Sequence, residues 1–175
     1  MTAFLIIIGV LALFLIYVAT RPAAFTITRS TIIPATPDEL FPYANDLHRF
    51  QDWSPWAKLD PNSKITFEGP ENGVGSSLAW TGNNKVGQGK MSITDTQPPQ
   101  LVTMKLEFLK PMKATNTATF RFTPDAQGTL VTWAMSGENG FMGKLFAVIV
   151  NCDKMVGGQF EQGLANLKAL AGAKL

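Results

Sequence analysis

The chain has 175 residues, of which 46% are apolar, and a formal charge of +2 from 15 basic and 13 acidic side chains. That length suits one domain with an appendage, the apolar share supplies a core, and the scattered charges exclude an electrostatic nucleic-acid interface. The single cysteine, Cys152, excludes an internal disulfide and reads as a small apolar residue of a helix face.

From Thr2 to Thr20 no residue is charged, and Phe4 to Ile8 and Leu11 to Val18 are almost wholly aliphatic or aromatic. As a helix the run spans about 28 Å at ~1.5 Å per residue, close to the ~30 Å of a bilayer's hydrocarbon. Tyr17 and Arg21-Pro22 close it with an aromatic, a charge and a helix breaker. No basic stretch precedes it, and Ala19-Thr20-Arg21-Pro22 is a poor cleavage site. The expectation is a transmembrane anchor over residues 1–21, in contact with the membrane through 2–20, and a binding domain over 22–175. The protein would then be single-pass, its side of the membrane left open.

Phe25 to Ile33 alternates imperfectly with period two and predicts a strand, with Arg29 on the parity of Phe25 and Ile27. Thr36-Pro37-Asp38-Glu39 has the form of a capping box and opens a short helix to about Asp46, interrupted at Pro42. Phe50-Gln51-Asp52-Trp53-Ser54-Pro55-Trp56 is the densest aromatic cluster. Two tryptophans across a proline predict an aromatic-walled turn, a rim or a plug.

Beyond it the chain is strand-rich. Ile65–Phe67, Val74–Thr81, Val86–Thr96, Leu101–Leu109, Ala114–Thr123 and Thr129–Ser136 are predicted strands, separated by Gly, Pro and Asn turns, and Gly82-Asn83-Asn84 is expected to supply positive-φ turn residues. Each of the later strands has one apolar parity, as an antiparallel sheet with one covered face requires. From Gly140 to Ala171 the apolar set Phe141, Leu145, Val148, Cys152, Met155, Phe160, Leu164, Leu167 and Leu170 recurs at helical spacing. One long amphipathic helix is expected there, capped by Asn139 and ended by Gly172.

Trp53-Ser54-Pro55-Trp56 with Asp60-Pro61, Gly69-Pro70 with Gly73-Val74-Gly75, Trp80-Thr81-Gly82 and Val86-Gly87-Gln88-Gly89, in this order of elements, resemble the START-like (SRPBCC) helix-grip superfamily, most closely its polyketide cyclase/dehydrase and lipid-transport branch. The resemblance covers about Phe25 to Ala171. It implies an α+β fold, a curved seven-stranded antiparallel sheet around a long C-terminal helix with a hydrophobic cavity between them, to which this chain adds the N-terminal transmembrane helix. It does not imply one chemistry, since carriers, cyclases and co-chaperone domains share the fold.

Chemistry-bearing residues are sparse. His48 is the one histidine and the weak candidate for a general base, and a zinc site is nearly excluded. No phosphate or dinucleotide loop occurs, and no cofactor or metal is called for. Trp53, Trp56, Trp80, Met104, Phe108, Asn116, Phe120, Trp133, Met135, Phe141 and Met155 are the candidate ligand-binding residues, with Asn116 as a polar group on an apolar parity. The same side chains could interlock into a dry core. The function expected is a membrane-anchored binding domain for a hydrophobic small molecule or lipid. The alternatives are a cyclase or dehydratase-type enzyme using His48 with Asn116, and a scaffold for another protein. Oligomeric state is left open.

Overall fold

The computed structural model describes residues 2–173. Helix α1 (Thr2–Ala19) leads into β1 (Ala24–Ile33). Three short helices follow, α2 (Pro37–Leu40), α3 (Pro42–Asn45) and α4 (Leu47–Trp53), then a 3-10 turn, Pro55–Lys58. Six strands come next, β2 (Lys64–Glu68), β3 (Ser77–Thr81), β4 (Gln88–Gln97), β5 (Leu101–Lys110), β6 (Ala114–Asp125) and β7 (Gly128–Glu138). Helices α5 (Phe141–Ile149) and α6 (Cys152–Gly172) end the chain. The strands form one antiparallel sheet ordered β1-β7-β6-β5-β4-β3-β2, so consecutive hairpins build it from β2 to β7 and β1 closes it on the far side. This is the helix-grip arrangement of sheet and C-terminal helix.

The local signals work as chemistry dictates. Thr36 Oγ1 accepts from the Glu39 amide while the Glu39 carboxylate accepts from the Thr36 amide at 2.7 Å, a complete capping box. That bonding holds the Glu39 carboxyl below its usual range. Pro42 does not kink a longer helix; it starts α3, and Asp46 then caps α4 by accepting from the amides of His48 and Arg49.

Three expectations need correcting. Among the described residues no helix is long and apolar enough to cross a membrane. That overturns the single-pass membrane localisation and gives no support to the anchor over 1–21 or the membrane contact through 2–20. The apolar run does form a helix, of 18 residues, that stops at Ala19. Secondly, the C-terminal helix is two helices, broken at Val150 and Asn151. The run Val148-Ile149-Val150 is β-branched and poor in helix propensity, and the Asn151 side chain instead accepts from the Lys154 amide to cap α6. Gly140, not Asn139, caps α5, and α6 continues through Gly172. Thirdly, the turn between β3 and β4 is longer than a two-residue hairpin. Gly87 alone in it has positive φ, and Asp60 organises it by accepting from the Asn83 amide at 2.7 Å.

α6 packs chiefly on β1, β7, α4 and the 3-10 turn. There the gap between helix and sheet is solid. The rings of Trp133 and Phe160 stack at 4.2 Å and 10°, with Trp53, Trp56 and Phe50 edge-on to Trp133 and Phe120 tilted against it at 41°. Gly163 allows the contact, since a Cβ there would lie 2.7 Å from the Trp133 ring. Arg29 fastens the same pair of elements. It donates to Glu161 Oε1 at 2.6 Å and Asp153 Oδ2 at 2.9 Å, and its guanidinium lies across Gly157, whose missing side chain leaves the space. These bonds raise the Arg29 pKa and lower that of Asp153.

Candidate functional site

The inward parities of the sheet carry Leu78 and Trp80 on β3, Gly89, Met91 and Ile93 on β4, Val102, Met104, Leu106 and Phe108 on β5, and Asn116, Ala118 and Phe120 on β6. Their burial divides in two. Leu78, Met91, Ile93, Val102 and Met104 are buried, whereas Trp80, Leu106 and Phe108 are half-buried. α6 lies mainly over β1 and β7, so the β3–β5 end of the inner face keeps an apolar shelf that the helix does not fully cover.

The shelf is preorganised. The Trp80 indole lies over Gly89, where a Cβ would collide with its ring, and its Nε1 donates to the Val86 carbonyl at 3.2 Å. Phe108 meets it edge-on at 5.8 Å. The bare start of β4 that the glycines Gly87 and Gly89 announce is therefore the seat of an indole, and Gly87, at φ +70, lies against the Lys110 carbonyl. A β-bulge between Gln88 and Gly89 sets both Gly89 opposite Phe108 and Gln88 opposite Lys110. Beside the shelf Asn116 is buried, its Nδ2 3.8 Å from the Met135 sulfur and its Oδ1 against Gly137.

The predicted site residues thus separate into three groups. Trp53, Met104, Phe120 and Trp133 are core, each 3% exposed or less, and Trp56 edges the Trp133–Phe160 stack. The Trp53 Nε1 donates to the Tyr43 carbonyl at 2.9 Å, so this indole plugs the gap under the short helices. Trp80 and Phe108 meet on the shelf, Asn116 pairs with Leu106 at its side, and Met135, on β7, is buried against Asn116. Phe141 and Met155 stand exposed on α5 and α6, at 46% and 50%. Leu106, between Met104 and Phe108, was missed although its parity marks it.

His48 lies elsewhere. Its ring stacks on Phe67 at 3.8 Å, Nδ1 is 3.4 Å from Asp46, and the side chain is 54% exposed. Phe67 pairs with Leu78, two residues along β3 from Trp80 on the same face, and the cross-strand row continues through Met91 and Leu106 to Asn116. The imidazole stands at the β2 edge of the inner face, with β3, β4 and β5 between it and Asn116, so Asn116 cannot orient it. Asp60, though buried, spends its carboxylate on the amides of Asn62 and Asn83. Cys152 sits at the start of α6, where burial raises its thiol pKa, against a nucleophilic role. Among the described residues no cluster of His, Cys, Asp and Glu could hold a metal ion. A separate open cavity of about 520 Å³ lies at the far end of the sheet between the Pro34–Glu39 and Pro124–Gly128 loops. Its carboxylates Glu39 and Asp125 accept from local amides.

The family model described as polyketide cyclase / dehydrase and lipid transport matches residues 24–172. No curated protein matches the sequence. Among solved structures, a protein of Mycobacterium smegmatis is similar at 17% identity and TM-score 0.61, covering 86% of this chain and 92% of its own. Major latex-like protein 151 of Panax ginseng is similar at 14% identity and TM-score 0.59, with 85% and 98% covered. The di-domain ARO/CYC protein of the steffimycin biosynthetic pathway aligns at 12% identity and TM-score 0.64, over 87% of this chain and 52% of that one. At these identities the likeness is one of fold.

Proposed function

We propose that this chain, which belongs to the polyketide cyclase/dehydrase and lipid transport family, binds a hydrophobic small molecule or lipid on the Trp80–Phe108 shelf. The observation that carries the reading is the half-buried, edge-to-face Trp80–Phe108 pair, held open over Gly89 and pinned to the Val86 carbonyl. An aromatic pair left partly wet by the neighbouring helix forgoes burial worth about 25 cal/mol per Å² of apolar surface, and a ligand's apolar face would recover it. Leu106 and the adaptable methionines beneath, Met91 and Met104, form the floor, and Asn116 is the nearby polar group.

The shelf differs from the cavity expected between α6 and the sheet, because the aromatic stack of Trp133 and Phe160 fills that space. Binding rather than catalysis follows from its lining: the residues named on the shelf are apolar apart from one amide, and no acid or base stands among them. The test is titration of the full chain with the neutral fluorescent probe N-phenylnaphthylamine. Saturable binding that Phe108→Ala weakens at least severalfold, with the fold retained by circular dichroism, supports the reading. Binding unaffected by Phe108→Ala, or no saturable binding, would remove it.

A further inference from the structure

The turns at the two ends of the sheet differ in charge. At the end where Trp80 and Phe108 stand, the 82–87 turn carries Lys85 and the 111–113 turn carries Lys113, with Lys110 at the end of β5 and Arg21 between α1 and β1. None of these turns contains an acid. At the opposite end the 34–39 and 69–76 loops carry Asp38, Glu39 and Glu71 and no cation. Of the carboxylates at the basic end, Asp60 is buried and occupied by backbone amides, and Glu138, at the end of β7, has the outward parity next to Gly137, which pairs with Asn116.

Three of the cations adjoin the shelf. Lys110 follows Phe108 on the same strand parity and pairs with Gln88 at the bulge. Lys85 lies next to Val86, whose carbonyl holds the Trp80 indole. Lys113 closes the turn that begins at Lys110. All three are exposed and, among the described residues, make no ion pair, whereas Lys90 and Lys105 on the other strand face are paired with Glu68 and Glu107. Unpaired lysines cost no desolvation to leave in water, but beside an apolar shelf they complement an anion attached to an apolar body.

We propose that the ligand is an anionic amphiphile, its apolar part on Trp80, Leu106 and Phe108 and its single carboxylate or comparable anionic head at Lys85, Lys110 and Lys113. This rests on the shelf reading above and narrows it to one chemical class. The experiment displaces N-phenylnaphthylamine from the full chain with dodecanoate, dodecanol and dodecylammonium, each kept below its aggregation concentration. Dodecanoate is expected to compete roughly tenfold better than dodecanol at low salt, as three exposed charge contacts would supply, and the preference should shrink as salt rises. The variant Lys85→Gln/Lys110→Gln/Lys113→Gln should keep probe and dodecanol binding and lose the preference. Equal competition by dodecanol, or a preference that survives the triple substitution, overturns the inference while leaving the shelf intact. Capture of the protein by anionic vesicles without displacement by monomeric dodecanoate overturns it in favour of a surface role for the lysines. Loss of probe binding itself would remove the shelf reading and the inference together.

Discussion

Phe160→Ala separates a packed interior from a ligand cavity under α6. Phe160 is 1% exposed, stacked on Trp133 at 4.2 Å and edge-on to Trp56 at 6.1 Å. Truncating such a ring in a solid core costs the transfer energy of the lost carbons and leaves a cavity that stiff neighbours cannot fill, about 3–5 kcal/mol. Trp133 has little freedom to collapse into it, because Phe50, Trp53, Trp56 and Phe120 already pack around its ring. At roughly 2–4 °C per kcal/mol for a domain of this size, the melting temperature should fall by about 6–20 °C. Urea unfolding followed by tryptophan fluorescence measures the loss directly, with an unchanged m-value showing that two-state unfolding persists. A loss under ~1 kcal/mol would mean that the ring lines an open volume, and the reasoning that placed the site at Trp80 instead would fail.

Other expectations follow from single contacts. Gly163→Val places a Cβ 2.7 Å from the Trp133 ring and 3.1 Å from Pro55, and should cost about 1–3 kcal/mol in the same unfolding assay; a neutral result would show that α6 can lift from β7 freely. Thr36→Ala removes the side-chain acceptor of the capping box and should cost about 1 kcal/mol, while Thr36→Ser should restore most of it. The Asp153 carboxyl is held below its ordinary value by hydrogen bonds from Arg29, so its contribution to stability is present above the unfolded aspartate pKa and is lost as pH falls through the lower folded one. Arg29→Met should therefore make the stability of the fold less steeply pH-dependent below about pH 4, near the unfolded aspartate pKa of ~3.9. An unchanged acid limb would show that the contact is not formed in solution.

The sheet was legible because strand parity is local: Val102, Met104, Leu106 and Phe108 alternate with Thr103, Lys105 and Glu107, and the faces follow. The capping box was legible for the same reason, since Thr36 and Glu39 satisfy each other within one turn. What escaped depends on contacts far apart in sequence. Which inward residues stay wet is decided by where α6 lies across the sheet, and that position is set by Arg29 reaching Asp153 and Glu161 and by Gly157 and Gly163 admitting close approach. No periodicity in α6 reports those partners. The break at Val150 was hidden because apolar spacing runs across it, while the β-branched run that causes it was in plain view. Arg29, on the parity of Phe25 and Ile27, is a fastener between strand and helix.

The shelf claim is tested most directly by the indole N–H resonances of the full, nitrogen-labelled chain during titration with N-phenylnaphthylamine. Trp80 Nε1 donates to a turn carbonyl at the shelf, and Trp53 Nε1 donates to Tyr43 inside the core. A saturable shift of the Trp80 signal with the Trp53 and Trp133 signals in place is the result predicted; saturable shifts centred on Trp53 and Trp133, with Trp80 unmoved, would contradict it.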